Sequence, residues 1–228
     1  FRVRVLGEFA LRDDDSLIAA DLVDAAMSRD VALDQDADLI YGVDVARFGS
    51  DRSVICKRRG NVVVELRHWS GEDLMGTVGR IVHEADMDNP AVIAVDSIGL
   101  GGGVADRLRE LKYNVVDVNV SESNALNQQA YRLRDELWIS AKDWLETRAV
   151  RLPKDDDLRA ELIAPTYSFS SNGKIKVESK SELKKRGMRS PDLADALCLT
   201  FAGQAATVGG RALKWLPGKP LQRRVSIC

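Results

Sequence analysis

Three aspartates stand where a charged side chain is costly. Asp44 lies in the apolar stretch Leu39-Ile-Tyr-Gly-Val-Asp-Val-Ala46, and Asp96 ends the run Ala91-Val-Ile-Ala-Val-Asp96. Asp195 sits inside Pro191-Asp-Leu-Ala-Asp-Ala-Leu-Cys-Leu-Thr-Phe-Ala202. A carboxylate in apolar surroundings is expensive to desolvate unless something pairs with it. No Arg or Lys stands evidently beside each of them, so one shared partner is the simplest expectation. A divalent cation fits, because hard cations take oxygen ligands. Two Mg²⁺ ions about 3.5–4 Å apart activate a water and stabilise a leaving oxyanion, which is the chemistry of phosphodiester hydrolysis. Mg²⁺ keeps several of its waters, so three or four Asp suffice and no protein nucleophile is required.

Each position has an ordinary reading beside the chemical one. Asp44 shares a strand face with Ile40, Gly42 and Ala46. It could be an edge-strand Asp facing water, but Val43 and Val45 bury the opposite face, and Gly42 leaves room for close approach. Asp96 ends a buried strand, where ligand sites of open α/β sheets gather; its alternative is to cap the adjoining loop or helix. The loop Gly99-Leu-Gly-Gly-Gly103 could cradle a phosphate with backbone N–H groups, yet it lacks the Lys-Ser/Thr of a P-loop. Asp195 has Pro191, Asp192, Cys198 and Leu199 as its helical neighbours, which is not a solvent face. Asp192 divides between capping the helix and holding metal or water. Asp51 reads as a turn residue.

The elements that must carry these residues follow from apolar periodicity. Strands are expected at Leu39–Ala46, Ser53–Cys56 and Val62–Trp69, the last two joined by a tight turn at Gly60-Asn61. Leu74–Ala85 has helical spacing. Ala91–Val95 reads as a strand buried on both faces, followed by a helix to Lys112, a strand at Val115–Val120 and a long helix over Leu126–Leu145. The order β-β-β-α-β-α-β-α predicts an α/β ribonuclease H-like mixed sheet, three antiparallel strands plus parallel ones, flanked by helices. After Pro153 an insertion-like segment carries a hairpin, with Asn172-Gly173 between alternating runs. A basic helix over Ser179–Arg186 comes next. The last helix is expected to start with Ser190 as N-cap and Pro191 in its first turn.

Residues 1–37 read as a lead-in, with a short strand at Phe1–Leu6, an amphipathic segment at Leu17–Met27 and an acidic linker at Asp30–Asp38. Residues 206–228 read as a flexible tail. The 228 residues suffice for one α/β domain with a real core plus extensions, and a chain that opens on Phe reads as a piece of something longer. No apolar run approaches the ~18 residues of a membrane span. Three dispersed cysteines argue against a disulfide frame or a zinc site, and two histidines support neither a His-rich metal site nor a Ser-His-Asp triad. The net charge of −2 does not advertise nucleic-acid binding, but from Lys174 onward twelve basic residues face four acidic ones. Lys174, Lys176, Lys180, Lys184, Lys185, Arg186 and Arg189 cluster just before the Asp195 helix and predict a DNA-phosphate surface.

Three motifs resemble a known family: Gly42-Val-Asp-Val-Ala46 with Gly49-Ser-Asp51, Val95-Asp-Ser-Ile-Gly-Leu-Gly101, and Ser190-Pro-Asp-Leu-Ala-Asp-Ala-Leu197. In order and spacing, over residues 38–205, they look like the C-terminal nuclease domain of the large terminase subunit of tailed double-stranded DNA bacteriophages. Val3-Arg-Val-Leu-Gly-Glu-Phe9 resembles the stretch that joins the packaging ATPase to that nuclease. The resemblance implies Mg²⁺ or Mn²⁺ dependence and endonucleolytic cleavage of concatemeric double-stranded DNA during genome packaging. It makes Asp44, Asp96 and Asp195 the catalytic, metal-binding residues, with Asp192 open as a further metal ligand. It also implies the ATPase domain, the small terminase subunit and the portal protein as partners, in the host bacterial cytoplasm. Other readings are a ribonuclease H-superfamily junction resolvase or integrase, an actin/sugar-kinase-like ATPase, and a nuclease-like domain that only binds DNA.

Overall fold

A meander of three antiparallel strands opens the sheet in the computed structural model, which describes residues 16–46, 51–121 and 129–202. These are β1 (Leu39–Asp44), β2 (Ser53–Arg59) and β3 (Val62–Trp69). Gly60, at φ +54°, supplies the left-handed backbone of the β2–β3 turn. β4 (Val92–Asp96) and β5 (Val115–Val118) join in parallel, giving the order β3-β2-β1-β4-β5. This is the ribonuclease H-like mixed sheet expected from the element order.

Alternation along the strands makes two apolar faces. Leu39, Tyr41, Val43, Ile55, Ile93 and Val95 point to one face, which α2 (Leu74–Asp88) and α3 (Leu100–Glu110) cover. Val54, Cys56, Ala94 and Val118 point to the other. There α4 (Leu133–Glu146) and α7 (Asp192–Leu199) pack on the sheet, backed by α1 (Ala20–Ser28) and α5 (Asp156–Ile163). The added hairpin is β6 (Tyr167–Phe169) with β7 (Ile175–Val177), turning at Gly173 with φ +73°, and α6 (Lys180–Lys185) comes after it.

The structure departs from the sequence reading in four places. The expected long helix begins at Leu133 rather than 126. Ala130 bridges Ile175, and the buried Asp135 carboxylate accepts the N–H groups of Arg132 and Val177, which ties this stretch to the hairpin as extended chain and starts the helix late. The segment after Pro153 contains a helix, α5. Asp155 caps it by accepting the Leu158 N–H, and Asp156 and Asp157 favour the positive helix end. The second half of the expected lead-in belongs to the core, since Leu17, Ile18, Val23 and Ala26 are buried. Finally, Ser190 does not cap α7: Pro191 occupies the N-cap, and the buried Ser190 hydroxyl has no hydrogen-bond partner. The expected strand at Phe1–Leu6 and tail at 206–228 lie outside the described residues. Among the described residues no helix is long and apolar enough to cross a membrane.

On the α2 side a buried Lys57 is held by three carboxylates, Glu84 at 2.5 Å, Asp88 at 2.6 Å and Glu65 at 2.9 Å. Tyr41 donates to Asp88 as well. Burial opposes ionisation of Asp88, but the Lys57 and Tyr41 hydrogen bonds outweigh it and hold the carboxyl below its ordinary value. A depressed carboxyl stabilises the fold above its ordinary pKa of 3.8 and ceases to do so as the pH falls through its lower folded value. Lys57→Met is expected to lower the melting temperature at neutral pH and to flatten the acid limb of stability. Its cost should fall below the about 3–5 kcal/mol of a fully buried broken pair, because Glu84 and Asp88 keep some solvent. Thermal melts from pH 2.5 to 7 check this; an unchanged acid limb would remove the cluster from the stability argument.

Candidate active site

Parallel pairing brings the first two aspartates together. β1 and β4 are neighbours with Val43 opposite Val95, so Asp44 and Asp96 come next, side by side at the two carboxyl ends. Both lie on the face that α7 covers, because they alternate with Gly42 and Ala94. Glycine decides how near α7 can come. A Cβ on Gly42 would stand 2.0 Å from the Ala196 carbonyl oxygen, so the helix backbone rests directly on the strand. This contact seats Asp195, the preceding residue, above Asp44. A second close approach, 1.7 Å between a Cβ at Gly101 and the Asp96 carbonyl, packs the first turn of α3 under β4. The result is a cleft of about 410 Å³ lined by Asp44, Asp96, Asp192, Asp195, Arg134 and Lys180 among others.

The carboxylates are not without cations, contrary to the sequence reading. Lys180, expected to bind DNA phosphate, turns its ammonium into the cleft. It reaches Asp44 Oδ2 at 2.7 Å, Asp195 Oδ2 at 3.2 Å and Asp192 Oδ1 at 3.6 Å. Arg134 meets Asp195 Oδ1 at 3.2 Å, and the Trp138 indole N–H donates to the same oxygen at 2.7 Å. Among the described residues, the cation beside Asp195 Oδ2 is the Lys180 ammonium at 3.2 Å. Asp96 accepts the local Ile98 N–H at 3.1 Å.

These surroundings set the charges. Burial pushes the Asp44 carboxyl well above the ordinary range; Lys180 pulls against this, while Asp195 and Asp192 add to it. Burial also raises Asp96. For Asp195 burial acts in the same direction, but the Arg134 guanidinium and Lys180 ammonium outweigh it and keep the carboxyl low. Lys180 is held charged by Asp44 and Asp195 in spite of its own burial. Among the described residues no trio of His, Cys, Asp or Glu forms a ready metal cage; the lysine stands among the carboxylates instead.

Asp192 does not cap its helix. The N–H groups of Leu193 and Ala194 donate to Glu161 Oε2 at 2.6 and 3.1 Å. Asp192 Oδ2 accepts the backbone N–H of Arg52 at 3.0 Å, which leaves Oδ1 on the cleft side toward Lys180. Asp51 lines the cleft, paired with Lys184 at 2.9 Å. The remaining basic residues divide. Lys184, Lys185, Arg186 and Arg189 are exposed, while Lys174 and Lys176 are half-buried on the hairpin. Arg186 pairs with Glu178, and Lys176 approaches Glu182 at 3.7 Å.

Known proteins share this fold. No family model matches the chain. A probable terminase large subunit from Enterobacteria phage P7 is 27% identical, matched over 88% of this chain and 44% of that protein, so the chain spans less than half of that relative. Among solved structures, the nuclease domain of the large terminase subunit gp2 of bacterial virus Sf6 superposes with a TM-score of 0.67 at 21% identity, over 81% of this chain and 98% of that one. The large terminase nuclease of thermophilic phage G20c, solved with bound magnesium, gives a TM-score of 0.64 at 17% identity, over 82% and 97%. This chain has the large terminase nuclease fold. Almost the whole of each solved terminase nuclease domain is matched, so the fold is present in full.

Sequence reasoning missed four residues around this terminase-type cleft. Arg134 and Trp138 share a helix face one turn apart, which could have marked them as a pair aimed at one target. Glu161 falls on the stripe of Leu158 and Leu162, where a carboxylate needs a partner. Nothing local distinguishes Arg52, whose contacts lie more than one hundred residues away.

Proposed function

We propose that this domain is a metal-dependent endonuclease that cuts concatemeric double-stranded viral DNA during genome packaging, with little sequence specificity. The observation that carries the reading is the convergence of Asp44, Asp96 and Asp195, from two strand ends and a helix, in one cleft. The donor set suits Mg²⁺ or Mn²⁺, being all carboxylate oxygen, and the Lys180 ammonium among those carboxylates shows that the cleft takes a cation. When bound, a pair of such ions supplies an activated water and a stabilised leaving oxyanion. Related nuclease domains have been solved with manganese, for Sf6, and with magnesium, for G20c.

This chain's own residues then have distinct tasks. Asp44, Asp96 and Asp195 hold the ions, with Asp192 Oδ1 as a fourth donor. Trp138 and Arg134 fix Asp195 through its Oδ1 and so aim Oδ2 into the cleft. Lys174, Lys176, Lys184, Lys185, Arg186 and Arg189 track the DNA backbone toward the cleft. Phosphate contacts position DNA without reading sequence, which suits an enzyme that meets packaged DNA of any sequence. In a full-length subunit the proposed partners are the packaging ATPase, the small terminase subunit and the portal protein, in the host cytoplasm.

Supercoiled-plasmid digestion with Mn²⁺, with Mg²⁺ and with chelator tests the reading. Nicked and linear products with either metal, abolished by chelator, are expected; intact plasmid under every metal condition would defeat it. The basic surface has its own test. Each phosphate contact contributes about −0.9 to the slope of log affinity against log salt. Replacing Lys184, Lys185 and Arg186 together by Ala should weaken binding on all sequences and flatten the slope by less than three such increments, because Lys184 and Arg186 already have acidic partners. Unchanged affinity and slope would mean that the DNA runs elsewhere.

A further inference from the structure

Asp192 is free to face the cleft because another residue does the work of its position. A first-turn aspartate ordinarily serves the exposed amides of its helix. Here Glu161, 6% exposed, reaches across from α5 and takes the Leu193 and Ala194 amides with one oxygen. Its other oxygen accepts from Arg52 Nη2 at 2.5 Å, and Arg52 Nη1 meets Asp157 at 2.7 Å. The backbone N–H of the same Arg52 holds Asp192 Oδ2. One closed circuit therefore runs from α5, through the guanidinium, to the chain leading into β2, on to Asp192 and back through α7.

We propose that Glu161 and Arg52 are positioning residues for Asp192. Glu161 removes the capping demand on Asp192 and locks Arg52, and Arg52 holds one carboxylate oxygen so that the other projects into the cleft. This rests on the reading of Asp192 as a metal-holding carboxylate. A buried glutamate is costly for a merely local cap, whereas it is accounted for by serving the helix end and the guanidinium together. Partners of this kind, one step removed from a metal, typically contribute 10–100-fold to affinity or activity.

The test compares the whole 228-residue chain with its Glu161→Gln, Asp192→Asn and doubly substituted forms. Three quantities are measured: Mn²⁺ affinity by electron paramagnetic resonance without DNA, the Mn²⁺ concentration for half-maximal plasmid nicking, and the melting temperature. Gln keeps a carbonyl oxygen for the amides but turns an NH₂ donor, in place of the acceptor oxygen, toward Arg52 Nη2. Glu161→Gln should weaken Mn²⁺ binding about tenfold, raise the Mn²⁺ requirement alike, and add nothing once Asp192 is Asn. Wild-type affinity in a folded Glu161→Gln chain, or a loss that adds in full to that of Asp192→Asn, overturns the proposal. If Glu161→Gln does not fold, Arg52→Ala serves in its place, because it leaves the α7 cap intact and cuts the link, losing besides it only the pair with the exposed Asp157. A wild-type chain that neither binds Mn²⁺ nor nicks DNA would bring down the nuclease reading together with this one. An active wild type with an indistinguishable variant brings down this one alone.

Discussion

Asp44→Asn is expected to abolish metal-dependent cutting and to leave the fold as stable as before, or more so. Removing one group that stabilises developing charge costs about 10²–10³ in rate, and Asp44 is also proposed to hold the ions themselves. Stability moves the other way because burial and the neighbouring Asp195 and Asp192 disfavour the Asp44 charge, while Lys180 alone favours it. A neutral amide of the same shape relieves that conflict and still offers Lys180 an oxygen. Asp96→Asn and Asp195→Asn should match the loss of activity. Asp195→Asn should cost stability, since its charge is held by Arg134, Lys180 and the Trp138 indole. Plasmid cleavage rates and thermal melts read both effects. Near-wild-type cutting by any of the three variants would remove that residue from the site, and a collapsed Asp44→Asn chain would contradict the charge argument.

Gly42→Ala should be a severely damaging substitution for so small a change. The new methyl group would meet the Ala196 carbonyl at 2.0 Å, with the Thr200 amide at 2.9 Å, and both are helix backbone that cannot rotate aside. The helix must lift, at a cost of about 1–3 kcal/mol or more. Activity should fall further than stability, because a displacement near 1 Å at a reacting group costs about 10²-fold. Melting temperature and nicking rate, measured on the same preparation, separate the two effects. A variant that melts and cuts like wild type would show that α7 has slack on β1. Gly79, which lies in mid-helix with open space around its would-be Cβ, supplies the control: Gly79→Ala should leave the nicking rate unchanged and raise rather than lower the melting temperature.

Periodicity made the mixed sheet and the helical layers legible, because each strand carries its face preference in a few consecutive residues, while the strand order β3-β2-β1-β4-β5 was read only from the structure. The three aspartates were legible for the same reason: charge within an apolar run is a local contradiction. The helix α5 was hidden because its charged residues Lys154 to Asp157 resemble a loop, while its apolar stripe is only Leu158 and Leu162. The start of α4 was misplaced because its signal, Asp135 taking amides from Arg132 and Val177, depends on a strand forty-two residues away. Lys180 was misread for a related reason. A lysine in Lys180-Ser-Glu-Leu-Lys-Lys185 looks like its solvated neighbours, and its inward turn comes from where the hairpin delivers the helix. Contacts of that kind are properties of the assembled layers rather than of any segment.

Lys180 gives the cleft an internal counter-ion. Its ammonium already occupies oxygens of Asp44 and Asp195 that a metal ion would claim. If those carboxylates hold a metal, Lys180 would have to give up the oxygens it now pairs with, so the net gain would be only the difference between the two holds. The displaced ammonium must find a new anion, and a DNA phosphate arriving at the cleft mouth is one. Through that single side chain, nucleic acid and metal would each favour the binding of the other by the same factor, as linkage demands.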